Sequence, residues 1–182
     1  MKDHAILSYP YDTAHLPAEG FAIEIDANAE ARAELAAAYD LVAVSGLSAA
    51  ATVMPSGRGM VTVEGRVVAD IVQACVVSLE PVPQHIDEGF SVRFVPAGTP
   101  EAQPPAGPAR EVAIDPDAPD PPEPMQGTGV DLGALVEEMF VLAIDPYPRA
   151  PGAALPAGGI DEADSEEESP FAVLRGVVRS GK

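Results

Sequence analysis

From residue 47 to residue 95 the chain reads as β structure almost without interruption, and this limits its possible folds more than any other feature. Leu47, Ala49, Ala51 and Val53 fall on one side of a period-two pattern. Val61, Val63, Val67, Ala69 and Ile71 repeat it, with Thr62, Glu64, Arg66 and Asp70 at alternate positions. Successive strand side chains point to opposite faces, so the alternation marks a sheet with one buried and one solvated face. Residues 55–59, PSGRG, form a turn between the two runs, because Pro and Gly supply turn angles. The second run, residues 60–80, far exceeds the usual strand of about 5–6 residues. It is expected to bend or bulge at Gly65 or at residues 72–74. Pro81-Val82-Pro83 closes it, and a last strand turns Phe90, Val92 and Phe94 inward.

The flanks add helices. Phe21, Ile23 and Ile25 alternate with Ala22, Glu24 and Asp26, which predicts a strand. Asn28 is a natural N-cap for a helix over residues 29–39, rich in Ala, Glu, Arg and Leu. Further on, Asp131 caps a second helix, and Val130 and Leu135 are spaced as a hydrophobic staple. Leu132, Leu135, Val136, Met139, Phe140 and Ala143 form its apolar stripe, and Pro146 and Pro148 stop it. Consecutive turn-linked strands favour antiparallel pairing. The expected fold is therefore α+β: an antiparallel, barrel-like sheet with one helix in the N-terminal region and one after a proline-rich linker.

Residues 1–19 read as an irregular lead-in and residues 20–149 as a single domain. An acidic, Pro-rich insertion interrupts that domain at about 97–127. Ten of the chain's 20 prolines lie in residues 96–124, and such a stretch buries too little surface to offset its ordering. Residues 110–115, REVAID, are its one candidate strand. Residues 150–169 read as an acidic linker. Residues 170–182 form an apolar and basic tail, which either docks on a partner through the candidate residues Phe171, Leu174 and Arg175 or packs back onto its own sheet.

Charge narrows the partners. The formal net charge is −19. Residues 96–170 hold 16 acids against 2 bases, whereas residues 171–182 hold three bases and no acid. A chain this acidic gains no general attraction to DNA or RNA and suits basic partners, ribosomal proteins among them. No apolar run approaches the ~20 residues that span a bilayer. One cysteine permits no internal disulfide, and the acidic start is unlike a signal peptide, so the cytoplasm is the expected location.

No catalytic constellation emerges. His4, His15 and His85 are scattered without metal-site spacing. Cys75 lacks a neighbouring His or a second Cys and reads as a small buried hydrophobe. On that reading Cys75→Ala costs about 1 kcal/mol and Cys75→Ser more. Glu137 and Glu138 point about 100° apart on their helix and read as a solvated face. Arg58, Arg66 and Arg93 are the main bases of the β region and the candidate anion or RNA contact, set against Glu64, Asp70 and Asp87. Neither an enzyme nor a bound cofactor is expected.

Several ordered motifs resemble one bacterial family. Residues 63–82, VEGRVVADIVQACVVSLEPV, are similar to the signature of the YceD family, the large ribosomal RNA subunit accumulation proteins. Gly65, Cys75, Leu79 and Pro81 occupy its key positions. Phe90 to Pro96 resembles its F-x-V-x-F-x-P strand, and residues 129–138, with Asp131 and Leu132, resemble its I-D-L-x-x-L helix. Residues 145–149, DPYPR, resemble the segment after that helix, and residues 169–174 the tail of one branch. Cysteines spaced like a zinc site in other members are missing here, so no metal site carries over. The resemblance implies a role in 23S rRNA accumulation and 50S biogenesis. The partners would be ribosomal precursor components, either a basic ribosomal protein or 23S rRNA. The alternative is an acidic adaptor or chaperone for a basic partner outside ribosome assembly.

Overall fold

A computed structural model describes residues 5–100, 121–125 and 127–154. The chain divides into two units, Met1–Ala150 and Pro151–Lys182. The candidate strand at 110–115, most of the acidic linker, and Phe171, Leu174 and Arg175 lie outside the described residues.

The first unit is built on one long antiparallel ribbon. Strands β3 (Ala43–Gly57), β4 (Met60–Ala74) and β5 (Pro81–Val95) are 15 residues each. Strand β2 (Phe21–Asp26) pairs with β3, and the two-residue β6 (Glu123–Pro124) adds parallel to β5 at Phe94 and Val95. The order is β2-β3-β4-β5-β6. Helix α1 (Ala29–Ala38) follows β2 and packs by β3, with the Asn28 side chain accepting from the Ala31 amide. A small second sheet pairs β1 (Pro10–Asp12), inside the lead-in read as irregular, with β7 (Gly129–Asp131). Helix α2 (Leu132–Leu142) leaves β7 directly.

Two expectations need correction. The sheet does not close into a barrel: β2 and β6 stand at opposite edges. Its inner face carries small residues such as Ala49, Ala51 and Gly65, and α2 packs on that face where a barrel would need a facing wall. Val136 and Phe140 of α2 join Val67, Ala69, Ile71 and Ile86 in one core cluster, while Leu132 and Leu135 join Val53, Val61, Val63 and Phe94 in another. Nor does β4 break. The register shifts fall in β3, at Val44/Gly46 and Pro55/Gly57, while β4 pairs with β5 without a shift from Val61 to Ala74.

Gly65 instead marks a close approach. A Cβ there would lie 2.6 Å from the Phe90 ring and 2.8 Å from Ala50 O. Gly65 pairs with Ala51 on one side and Phe90 on the other, so a row of two small residues accommodates one large ring. Pro81 and Pro83 lie within β5 rather than ending the ribbon. They fit because that half of β5 has no further neighbour among the described residues and forms the sheet's edge there, where a missing N–H costs no ladder bond.

Candidate protein-interaction site

The signature residues Cys75, Leu79 and Pro81 meet at the β4–β5 connection. Strand β4 ends at Ala74, and the chain turns through residues 75–80 before β5 begins at Pro81. The turn is closed by Leu79 N–H donating to Cys75 O (3.0 Å) and Cys75 N–H donating to Glu80 O (2.8 Å). Leu79 adopts φ of +61°. This left-handed conformation costs a side-chain-bearing residue about 1–2 kcal/mol.

The chain after α2 is strapped across this end. Val76 N–H donates to Pro148 O at 2.9 Å. Gln73 Nε2 donates to Asp145 O, and Gln84 donates to Ala143 O and accepts from the Asp145 amide. Asp145 in turn accepts from the Tyr147 amide, fixing the DPYPR turn. The proline-rich segment after α2 is thus fastened to both strands of the hairpin.

Cys75 is the pivot of this arrangement and is more than a hydrophobe. Its side chain is fully enclosed, and its Sγ accepts from the amides of Ala150 (3.3 Å), Val77 (3.4 Å) and Ser78 (3.4 Å). The Ala150 amide contributes most in drawing the thiol down to about 6, with Ser78 and Val77 adding to it and burial opposing. The sequence reading placed Cys75 inside correctly but missed these donors, which come from a loop conformation and from a residue 75 positions away.

Three apolar side chains stand outward at this end, among the exposed Ser78, Glu80, Asp145 and Arg149. Leu79 is 78% exposed, Tyr147 72% and Val76 49%. Leu79 therefore bears backbone strain without burying its own side chain. An observed strain of this kind is a reasonable pointer to function.

The other candidate residues lie elsewhere. Asp131 is the α2 N-cap: its Oδ1 accepts from Gly133 and Ala134 N–H and from Tyr9 N–H, and its Oδ2 from the Ser8 hydroxyl. These donors outweigh burial and hold its carboxyl below the usual range. Leu132 is a core residue, 1% exposed. Arg58 sits at the β3–β4 tip with φ of +53°. Arg66 forms a two-pronged ion pair with Asp87, its Nη2 2.6 Å from Oδ2. By strand parity Arg66 and Arg93 share the outer face, four rows apart, among Glu24, Glu64, Asp70 and Asp87. The three arginines do not converge.

Glu137 overturns its reading as part of a solvated face. It is 6% exposed; its carboxylate accepts from Leu7 N–H (2.8 Å) and the Tyr39 hydroxyl (2.6 Å). It thereby ties the N-terminal segment and the end of α1 to α2. Burial first, then this carboxylate, push Tyr39 up to about 12. Gly133 was also missed. A Cβ there would lie 2.7 Å from Leu7 C and Tyr9 N, so only glycine admits the N-terminal segment against α2. A glycine in the first turn of an otherwise apolar helix was the available signal.

Among the described residues no group of three or more His, Cys, Asp or Glu is placed to hold a metal ion, and no helix is long and apolar enough to cross a membrane. Neither the curated proteins nor the solved structures include a significant match to this chain. The profile of the large ribosomal RNA subunit accumulation protein YceD matches residues 63–177, more than half of the chain, and takes in both the β4–β5 turn and α2. The chain belongs to the YceD family.

Proposed function

We propose that this protein is a non-enzymatic factor for 23S rRNA accumulation and 50S subunit biogenesis. It acts in the cytoplasm by binding a ribosomal precursor component through protein–protein contacts at the Cys75 turn. Family membership supports the pathway. The exposed Leu79, held at φ of +61° on a strapped and otherwise well-bonded turn, supports the site. A rigid apolar projection is suited to a protein partner, because it loses little freedom on binding. The outer sheet face, where acids surround Arg66, is a poor electrostatic match for an RNA backbone.

The test is Leu79→Gly in a host whose own gene for this chain has been deleted. Glycine relieves the left-handed strain and removes the projecting side chain. The variant should be at least as stable as the parent and yet fail to restore the 23S to 16S rRNA ratio. Full restoration by Leu79→Gly, Val76→Ser and Tyr147→Ala combined would remove this surface from the function.

A further inference from the structure

A second surface of the first unit combines an apolar floor with an acidic rim. A groove of about 660 Å³ is lined by residues of β1, β6, β7 and α2. Phe94, Met125, Val130 and Leu135 lie along its floor, while Asp12, Glu123, Asp131 and Glu138 supply its charge. Among the described residues no Lys, Arg or His lines it. Two of the four carboxylates are already engaged: Asp131 with the donors of the N-cap and the N-terminal segment, Asp12 with the Ala14 amide and His15. The other two, Glu123 and Glu138, are paired with no base among the described residues. Burial, and then the charge of Glu138, raise the Glu123 carboxyl above its ordinary value. Negative charge at this groove is therefore crowded and partly desolvated, a cost that an incoming cation would relieve.

We propose that this groove receives a peptide segment of a basic protein, in which one large apolar side chain is flanked by Lys or Arg. The apolar side chain enters over Phe94, Met125 and Leu135, and the flanking cations meet Glu123 and Glu138. The volume is in the range of sites that enclose a few side chains. A rim of four carboxylates repels phosphate, which disfavours nucleic acid, and a second copy of a chain with net charge −19 is repelled as well. Strand β6 is an edge of the larger sheet and offers an extended segment a place to lie. The proposal rests on the reading that the partner is a basic ribosomal component, and it assigns that partner a second contact apart from the Cys75 turn.

The test uses the purified full chain and a fluorescein-labelled peptide, Gly-Lys-Arg-Phe-Lys-Arg-Gly, followed by anisotropy at physiological salt. Saturable binding is expected, weakened at least about tenfold in Glu123→Gln/Glu138→Gln. Glu24→Gln/Asp26→Asn, the same charge change on the outer sheet face, should bind as the parent does. A probe with Ser in place of Phe should bind at least about fivefold more weakly. Four results would each overturn the proposal: no saturable binding, equal binding by both double variants, equal binding of the Ser probe, or at least tenfold tighter binding of a peptide with the sequence of residues 170–182. The last would give the groove to the chain's own tail. Loss of 23S rRNA accumulation on gene deletion reads the 50S role separately, so a failed peptide test leaves that role standing.

Discussion

Glu137 is the buried group on which the assembly of the first unit depends most, and its removal can be worked through from the structure. Glu137→Ala deletes the acceptor of two hydrogen bonds, from the Leu7 amide at 2.8 Å and the Tyr39 hydroxyl at 2.6 Å. A hydrogen bond to a charged group contributes about 1.5–3 kcal/mol, and Leu7 is buried, so its N–H has no ready replacement in water. Removing the carboxylate also removes its own desolvation cost, which offsets part of the loss. The net expectation is about 2–4 kcal/mol of destabilisation for Glu137→Ala and about 1 kcal/mol for Glu137→Gln, which keeps an acceptor for Leu7. Tyr39→Phe should cost about 1–2 kcal/mol, and the double variant should show a coupling of at least about 1 kcal/mol. Urea unfolding followed by circular dichroism measures the four variants against the parent, and unchanged slopes would show that the unfolded state is not the cause. A cost below about 0.5 kcal/mol for Glu137→Ala, or strictly additive single variants, would refute the reasoning.

Four further outcomes follow from the geometry. Cys75→Ala strips three amides of their acceptor and should cost about 2–3 kcal/mol, more than Cys75→Ser, whose oxygen can still accept; the order expected of a plain hydrophobe is the reverse, and thermal melts decide it. Despite its lowered pKa the enclosed thiol should react with a disulfide reagent only as fast as the fold opens, so rapid labelling of the native protein would contradict the site. Gly65→Ala should lose about 1–3 kcal/mol by overpacking, and Phe90→Leu in the same chain should recover part of it. The Tyr39 hydroxyl is raised to about 12 in the fold and ionises near 10 when unfolded. Its contribution is therefore full below pH 10 and is lost as pH rises through 12, and alkaline unfolding curves of Tyr39→Phe should lack that portion of the fall.

The sequence carried the strands well because one face is buried. A one-residue slip would expose Val61, Val63 and Val67 of β4, so the alternation and the register agree. Helix α1 and the Asp131 cap were equally plain, since their signals are local. The failures share a cause: they depend on contacts between distant segments. Whether a sheet closes depends on what fills its concave face, and nothing in residues 43–95 announces that α2 will do so. Glu137 sits at a polar position beside an apolar stripe, and only the arrival of Leu7 and Tyr39 makes it internal. Cys75 and Leu79 were picked out by family resemblance, but the sulfur's amide donors and the strained, exposed leucine required coordinates. Pro81 and Pro83 marked a strand end only on the assumption that the strand was central.

The central claim is that this YceD-family chain serves the large subunit by holding a protein component of its precursor. The most direct measurement is affinity purification of the full chain from its own host, with and without RNase, read by mass spectrometry and RNA sequencing. The account predicts basic large-subunit ribosomal proteins in both samples, with 23S precursor RNA enriched only in the untreated one. Recovery of RNA without those proteins, loss of the proteins on RNase treatment, or a set of partners with no large-subunit component would contradict it.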